Sequence, residues 1–142
     1  MFILDKNPSD IYGIRLFIDG EWKTTIVDAQ LPVDERGILY YAKPFRSEIW
    51  VLLLEKAWAK IYGSYDNIEG GNPEEGLTAL TGAPCLKMVG DDPMIVEKLR
   101  HYIQQNYIVT ANTSELVNKM DKADQKTKGI YENHAYTVVG LF

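Results

Sequence analysis

Ser47-Glu-Ile-Trp-Val-Leu-Leu-Leu-Glu-Lys-Ala-Trp-Ala-Lys-Ile-Tyr62 is the stretch on which the reading of this chain turns. Trp50, Leu53, Leu54, Ala57, Trp58 and Ile61 recur at helical spacing and make one apolar face. Ser47 is a good N-cap, because its hydroxyl can accept from the free N–H groups of a first turn. Glu48 then sits in that turn, near the positive end of the helix dipole. Gly63 suits a C-terminal cap. The first half is apolar nearly all round, which predicts a deeply buried helix over Ser47–Tyr62.

Upstream, Ile14–Ile18 and Glu21–Val27 flank Asp19-Gly20, a pair suited to a tight turn with positive φ. Ile14, Leu16 and Ile18 alternate, as do Trp22, Thr24 and Ile26, so a β-hairpin with one buried face is expected. Leu31-Pro32 closes the second strand, since proline cannot donate to a ladder. Gly37–Ala42 reads as a further short strand. Downstream, Gly63–Gly76 is rich in glycine and holds Pro73, which predicts a loop and a domain junction. Leu77–Val89 is expected to contain a strand. Asp92-Pro93 opens a second helix with Asp92 as cap, and Ile95, Val96, Leu99, Tyr102 and Ile103 are its buried stripe. Strands are expected at Tyr107–Ala111 and His134–Phe142, with a polar, mobile loop over Ser114–Gly129.

Composition narrows the function. Hydrophobic residues are 46% and charged residues 25% of 142, the balance of a globular protein. The formal net charge of -5 and the lack of a Lys/Arg cluster argue against nucleic-acid partners. A single cysteine, Cys85, excludes an internal disulfide framework and a cysteine-rich zinc site. No apolar run approaches the roughly 20 residues of a membrane-spanning helix, and the N-terminus lacks the pattern of a secretory signal. A cytoplasmic location is the expectation.

In order, these segments resemble the calpain family of cysteine proteases over almost the whole chain. Ile11-Tyr-Gly-Ile-Arg-Leu-Phe-Ile-Asp-Gly-Glu-Trp22 is similar to the family's hairpin, and Val27-Asp-Ala-Gln-Leu-Pro32 to the segment after it. Glu48–Tyr65 resembles the central helix, followed by Glu69-Gly-Gly-Asn-Pro-Glu-Glu-Gly76 and Leu80-Thr-Gly82. Asn133-His-Ala-Tyr-Thr-Val138 resembles the strand that opens with the catalytic histidine. The resemblance implies an α+β, papain-like calpain protease core, present in part. Residues 1–71 would be the end of the helical subdomain that brings the cysteine, and 72–142 the start of the β-rich subdomain that brings histidine and asparagine.

The chemistry implied is nucleophilic attack by a thiolate, with a histidine that takes the thiol proton and returns it to the leaving amine. By resemblance His134 is that histidine; read alone, it would be a solvent-facing residue at a strand end. The family's cysteine stands upstream in a Gly-Asp-Cys-Trp setting, and its asparagine downstream in an Asn-Pro-Trp-Gly setting. Neither is found here, so the fragment is expected to be inactive alone and to need the missing protease segments. Cys85 is expected to be a small buried hydrophobe. Glu48 matches a position that supplies a carboxylate to calcium, an ion that needs about six to eight oxygens; read alone, it only favours its helix's first turn. Gly71 matches a glycine whose backbone pairs with the peptide substrate, and equally reads as an ordinary loop glycine. Asn133 stands where the family usually has glycine, beside the same substrate groove. His101 is expected to be exposed. Two functions follow: a calcium-dependent endopeptidase acting on protein substrates, here as a fragment, or a non-catalytic calpain-like module that binds peptides or proteins. Unpartnered apolar faces predict poor solubility for the isolated chain.

Overall fold

A computed structural model describes residues 3–6, 10–113 and 127–141. The chain divides into two compact units, residues 1–85 and 86–142. Both helices and strands are present, as an α+β chain requires. Among the described residues no helix is long and apolar enough to cross a membrane.

The first unit is built on an antiparallel sheet in the order β1 (Ile3–Lys6), β2 (Ile11–Ile18), β3 (Glu21–Asp28). The β2–β3 hairpin closes at Asp19-Gly20, whose φ values are +55° and +81°. Two positive φ values in succession match the twist of the flanking strands. The two-residue turn fixes the register: Ile18 faces Glu21, Leu16 faces Lys23, Ile14 faces Thr25 and Tyr12 faces Val27. Residues directly opposite share a face. The inward face of β3 is therefore Lys23, Thr25 and Val27, with Val27 buried. Trp22 and Ile26 lie on the other side, 41% and 51% exposed, which corrects the expected inward set Trp22, Thr24 and Ile26.

Helix α1 (Trp50–Tyr62) covers the inward face of the sheet. Leu53 and Ala57 are fully buried against Tyr12, Ile14, Leu16, Ile18 and Val27, with Leu54, Trp58 and Ile61 packed around them. The helix begins at Trp50 and not at Ser47, and no side chain caps it. Arg46 is left-handed at φ +57° and a turn joins Glu48 N to Phe45 O, so Ser47 and Glu48 precede the helix. Trp50, expected inside, is exposed. Gly63 ends the helix at φ +98°.

Past Gly63 the structure departs further from expectation. A 3-10 turn spans Asp66–Ile68, and helix α2 spans Pro73–Thr81 where a loop and then a strand were expected. Asn72 is extended, Pro73 takes the first helical position, Glu74 and Glu75 fill the first turn, and Gly82 closes the helix at φ +70°. That is a complete set of start and stop signals. Ala79 puts α2 into the core beside β2. Residues 82–89 contain no strand. Gly37–Ala42 is likewise not a strand: Val33 and Leu39 make one isolated bridge around Asp34, whose Oδ1 accepts from the N–H groups of Arg36 and Ile38. Cys85, expected inside, is exposed. It follows the α2 cap in irregular chain, and its thiol sits 3.5 Å from Thr78 Oγ1 and 3.6 Å from Glu74 O.

In the second unit, helix α3 spans Ile95–Gln104. Asp92 serves its start two residues ahead of the cap position: its carboxylate accepts from Met94 N at 2.8 Å and pairs with Lys98. Of the expected stripe, Ile95, Leu99, Tyr102 and Ile103 are half-buried, while Val96 is exposed. His101 is exposed, as expected. Strands β4 (Thr110–Asn112) and β5 (Ala135–Thr137) pair antiparallel. They are shorter than the expected Tyr107–Ala111 and His134–Phe142. Most of the expected loop Ser114–Gly129 lies outside the described residues.

Two lysines fasten α1 to β3. Lys60 Nζ donates to Ile26 O at 2.8 Å; Lys56 Nζ lies 2.5 Å from Asp28 Oδ1 and also donates to Gln30 O. The hydrogen bond from Lys56, helped by the N–H of Gln30, holds the Asp28 carboxyl below its ordinary range. A carboxylate depressed in the folded state stabilises above its unfolded pKa, and that contribution is lost as pH falls through the folded one. Lys56→Met is therefore expected to destabilise the chain at neutral pH, with the gap to the parent closing below about pH 4; denaturant midpoints measured between neutral and acid pH check this. Leu53→Ala is expected to cost about 2–5 kcal/mol of unfolding free energy, read from the same midpoints.

Candidate active site

His134 stands one residue before β5, at the end of the β4–β5 ladder. Its main chain is tied to Thr113: Thr113 N donates to His134 O at 3.0 Å, and His134 N donates to Thr113 Oγ1 at 3.1 Å. The imidazole is exposed and meets the rings of Tyr136 and Tyr131 edge-on, with centroids 4.9 Å and 6.2 Å away. An imidazole nitrogen can take a proton from one partner and give it to another.

Asn133 gives that turn its shape. Its φ is +47°, in the left-handed region. Glycine enters this region freely and asparagine is the usual substitute. Asparagine is therefore a side chain that this backbone tolerates in the turn before His134.

Gly71 and Glu48 lie in the first unit. Gly71 is exposed between the 3-10 turn and α2; a Cβ built there meets nothing within 4 Å, and its φ is not positive. Among the described residues nothing requires glycine at this position. Glu48 is exposed, and its carboxylate accepts from Trp50 Nε1 at 3.3 Å. Among the described residues no group of three or more His, Cys, Asp or Glu side chains is placed to hold a metal ion. One carboxylate falls far short of the oxygen donors calcium needs, so these residues by themselves do not fit the ion. Thr113, Tyr131 and Tyr136 surround His134 and were not foreseen as part of its site; only the antiparallel pairing, which spans about 20 residues of sequence, brings Thr113 to it.

Residues 3–142 match the family model described as calpain family cysteine protease. The chain belongs to the calpain family. It is 32% identical to mouse Calpain-12 over 133 residues, covering 92% of this chain and 18% of that protein. Against human Calpain-7 it is 32% identical over 146 residues, covering 96% of this chain and 17% of the relative. Against the maize calpain-type cysteine protease DEK1 it is 30% identical over 145 residues, covering 95% of this chain and 6% of the relative. The chain thus spans less than a fifth of the length of each of these calpains.

The left-handed turn of this calpain chain can be tested directly. Asn133→Val is expected to cost about 1–2 kcal/mol locally. Amide exchange at His134 and Ala135 would then be about 5–30-fold faster, whereas Asn133→Gly leaves it near the parent rate.

Proposed function

We propose that this chain supplies the histidine of a calpain-type cysteine endopeptidase. The observation that carries the reading is His134: the family match runs through it, and a held turn presents its imidazole at the end of a ladder. In this reading residues 1–71 finish the cysteine-bearing subdomain of a papain-like core, and residues 72–142 begin the subdomain that bears the histidine.

The neutral imidazole of His134 takes the proton of a cysteine thiol. The thiolate attacks the peptide carbonyl, and the imidazolium returns its proton to the departing amine. The sulfur is not that of Cys85. Its thiol lies against α2, 3.5 Å from Thr78 Oγ1 and 3.6 Å from Glu74 O, and it lacks the Gly-Asp-Cys-Trp setting of the family's nucleophile. The nucleophile comes from a cysteine outside these residues, and the chain alone is inactive. Gly71 offers its backbone to an extended substrate; the open space around its Cα suits the close approach of a second chain. Glu48 contributes one carboxylate, at most two oxygens, to a calcium ion whose other donors lie elsewhere. A lone exposed thiol suits a reducing compartment, and we place the protein in the cytoplasm.

The test is a chimera in which residues 3–142 replace the matched segment of the maize calpain-type cysteine protease, assayed on a fluorogenic peptide. His134→Ala is expected to lower kcat by about a thousandfold or more. Cys85→Ala is expected to leave it unchanged, and Gly71→Val to raise KM without unfolding the chain. Full cleavage by the His134→Ala chimera would remove the assignment.

A further inference from the structure

We propose that Thr113 is a positioning residue for His134, its hydroxyl standing in for a main-chain carbonyl in the rung that holds the histidine. The inference rests on the reading of His134 as the proton carrier.

In an antiparallel ladder, pairs that exchange both main-chain hydrogen bonds alternate with pairs that exchange none. Here Val138 N donates to Val109 O at 2.9 Å, Ala111 faces Tyr136, and the next bonding pair in phase is Thr113 with His134. Thr113 makes its half of that rung normally, donating N–H to His134 O at 3.0 Å. The other half is different: His134 N donates to the Thr113 hydroxyl at 3.1 Å and not to a carbonyl. A hydroxyl has one proton to give and can accept at the same time. Thr113 Oγ1 gives its proton to Tyr131 O at 2.5 Å, with His134 O a longer alternative at 3.3 Å. One side chain therefore serves the carbonyl at the start of the Tyr131–His134 turn and the N–H at its end. Tyr131 N donates in turn to Tyr136 Oη at 2.5 Å, so both ends of the turn are anchored by side chains.

A main-chain carbonyl could not do this, because it has no proton to offer Tyr131. The hydroxyl lets the ladder stop while the turn that breaks from it stays fixed. That fixes where the Cα–Cβ bond of His134 points, and the imidazole lies against the ring edges of Tyr136 and Tyr131. A misplacement of about 1 Å in a reacting group can cost roughly a hundredfold in rate. An exposed imidazole has little packing to hold it otherwise.

Thr113→Val keeps the shape and removes both hydrogen bonds; Thr113→Ser keeps the hydroxyl. In histidine-labelled chain, the His134 Cε1–H signal is expected to be single and sharp, with a contact to the Tyr136 ring, in the parent and in Thr113→Ser. In Thr113→Val it is expected to broaden or split and to lose that contact. The His101 signal, assigned with His101→Gln, reports whether the second unit remains folded. If Thr113→Val unfolds it, the smaller Thr113→Ala serves as the removal variant. A sharp His134 signal with its Tyr136 contact intact in a folded variant lacking the hydroxyl overturns the proposal. In the chimera, Thr113→Val is expected to lower kcat about ten- to a hundredfold, with KM within about twofold and recovery in Thr113→Ser. An unchanged kcat where His134→Ala abolishes cleavage also overturns it. Cleavage that survives His134→Ala removes the protease reading instead, and the spectra then decide alone whether Thr113 holds the histidine.

Discussion

The packing of β2 against α1 is the constraint on which the first unit depends. Ile14, Leu16 and Leu53 have no exposed surface, and Ala57 between them has none either. Each large side chain so buried is worth about 1.5–3 kcal/mol relative to exposure, and alanine at position 57 lets the helix lie close to the sheet. The sheet's face is set by the hairpin register, and the helix's by its spacing. Once these meet, α2 has one place to add Ala79. Gly71 and Glu48 are carried on segments that branch from this core.

The second unit is held by different means. None of its described residues is fully buried, and its order comes from hydrogen bonds at the ends of elements. Asp92 ties the start of α3, and Thr113 and Tyr136 tie the turn before β5. The catalytic candidate thus sits where the chain is governed by polar geometry, while the buried apolar cluster belongs to the other unit. Such a site tolerates shape-preserving exchanges poorly when they delete a donor or acceptor, since an unmet main-chain group costs more than a lost contact.

Much of this was legible beforehand, and the failures have physical causes. Asp19-Gly20 announced the hairpin, and the alternation of β2 announced its inward face. For β3 alternation alone cannot say which set points inward; the turn length decides it, by placing Leu16 opposite Lys23. Gly70, Gly71 and Gly76 make the segment that holds α2 read as loop, although Asn72-Pro73-Glu74-Glu75 and Gly82 are the helix's proper boundaries. Ser47 failed as a cap because Arg46 turns left-handed just before it. His134 and Asn133 are singled out in the sequence by the family likeness alone. Thr113 was not, because its role exists only after two short strands have paired.

The lysine fastening of α1 to β3 also bears on the order of synthesis. Asp28 leaves the ribosome 28 residues before Lys56, and Ile26 34 residues before Lys60. At about 5–20 residues per second, the finished hairpin waits on the order of seconds with its outer carbonyls and the Ile14–Leu16 face uncovered. Until α1 follows, the hairpin holds bare the apolar face that the helix later buries, and slower synthesis of the segment between them would lengthen that exposure.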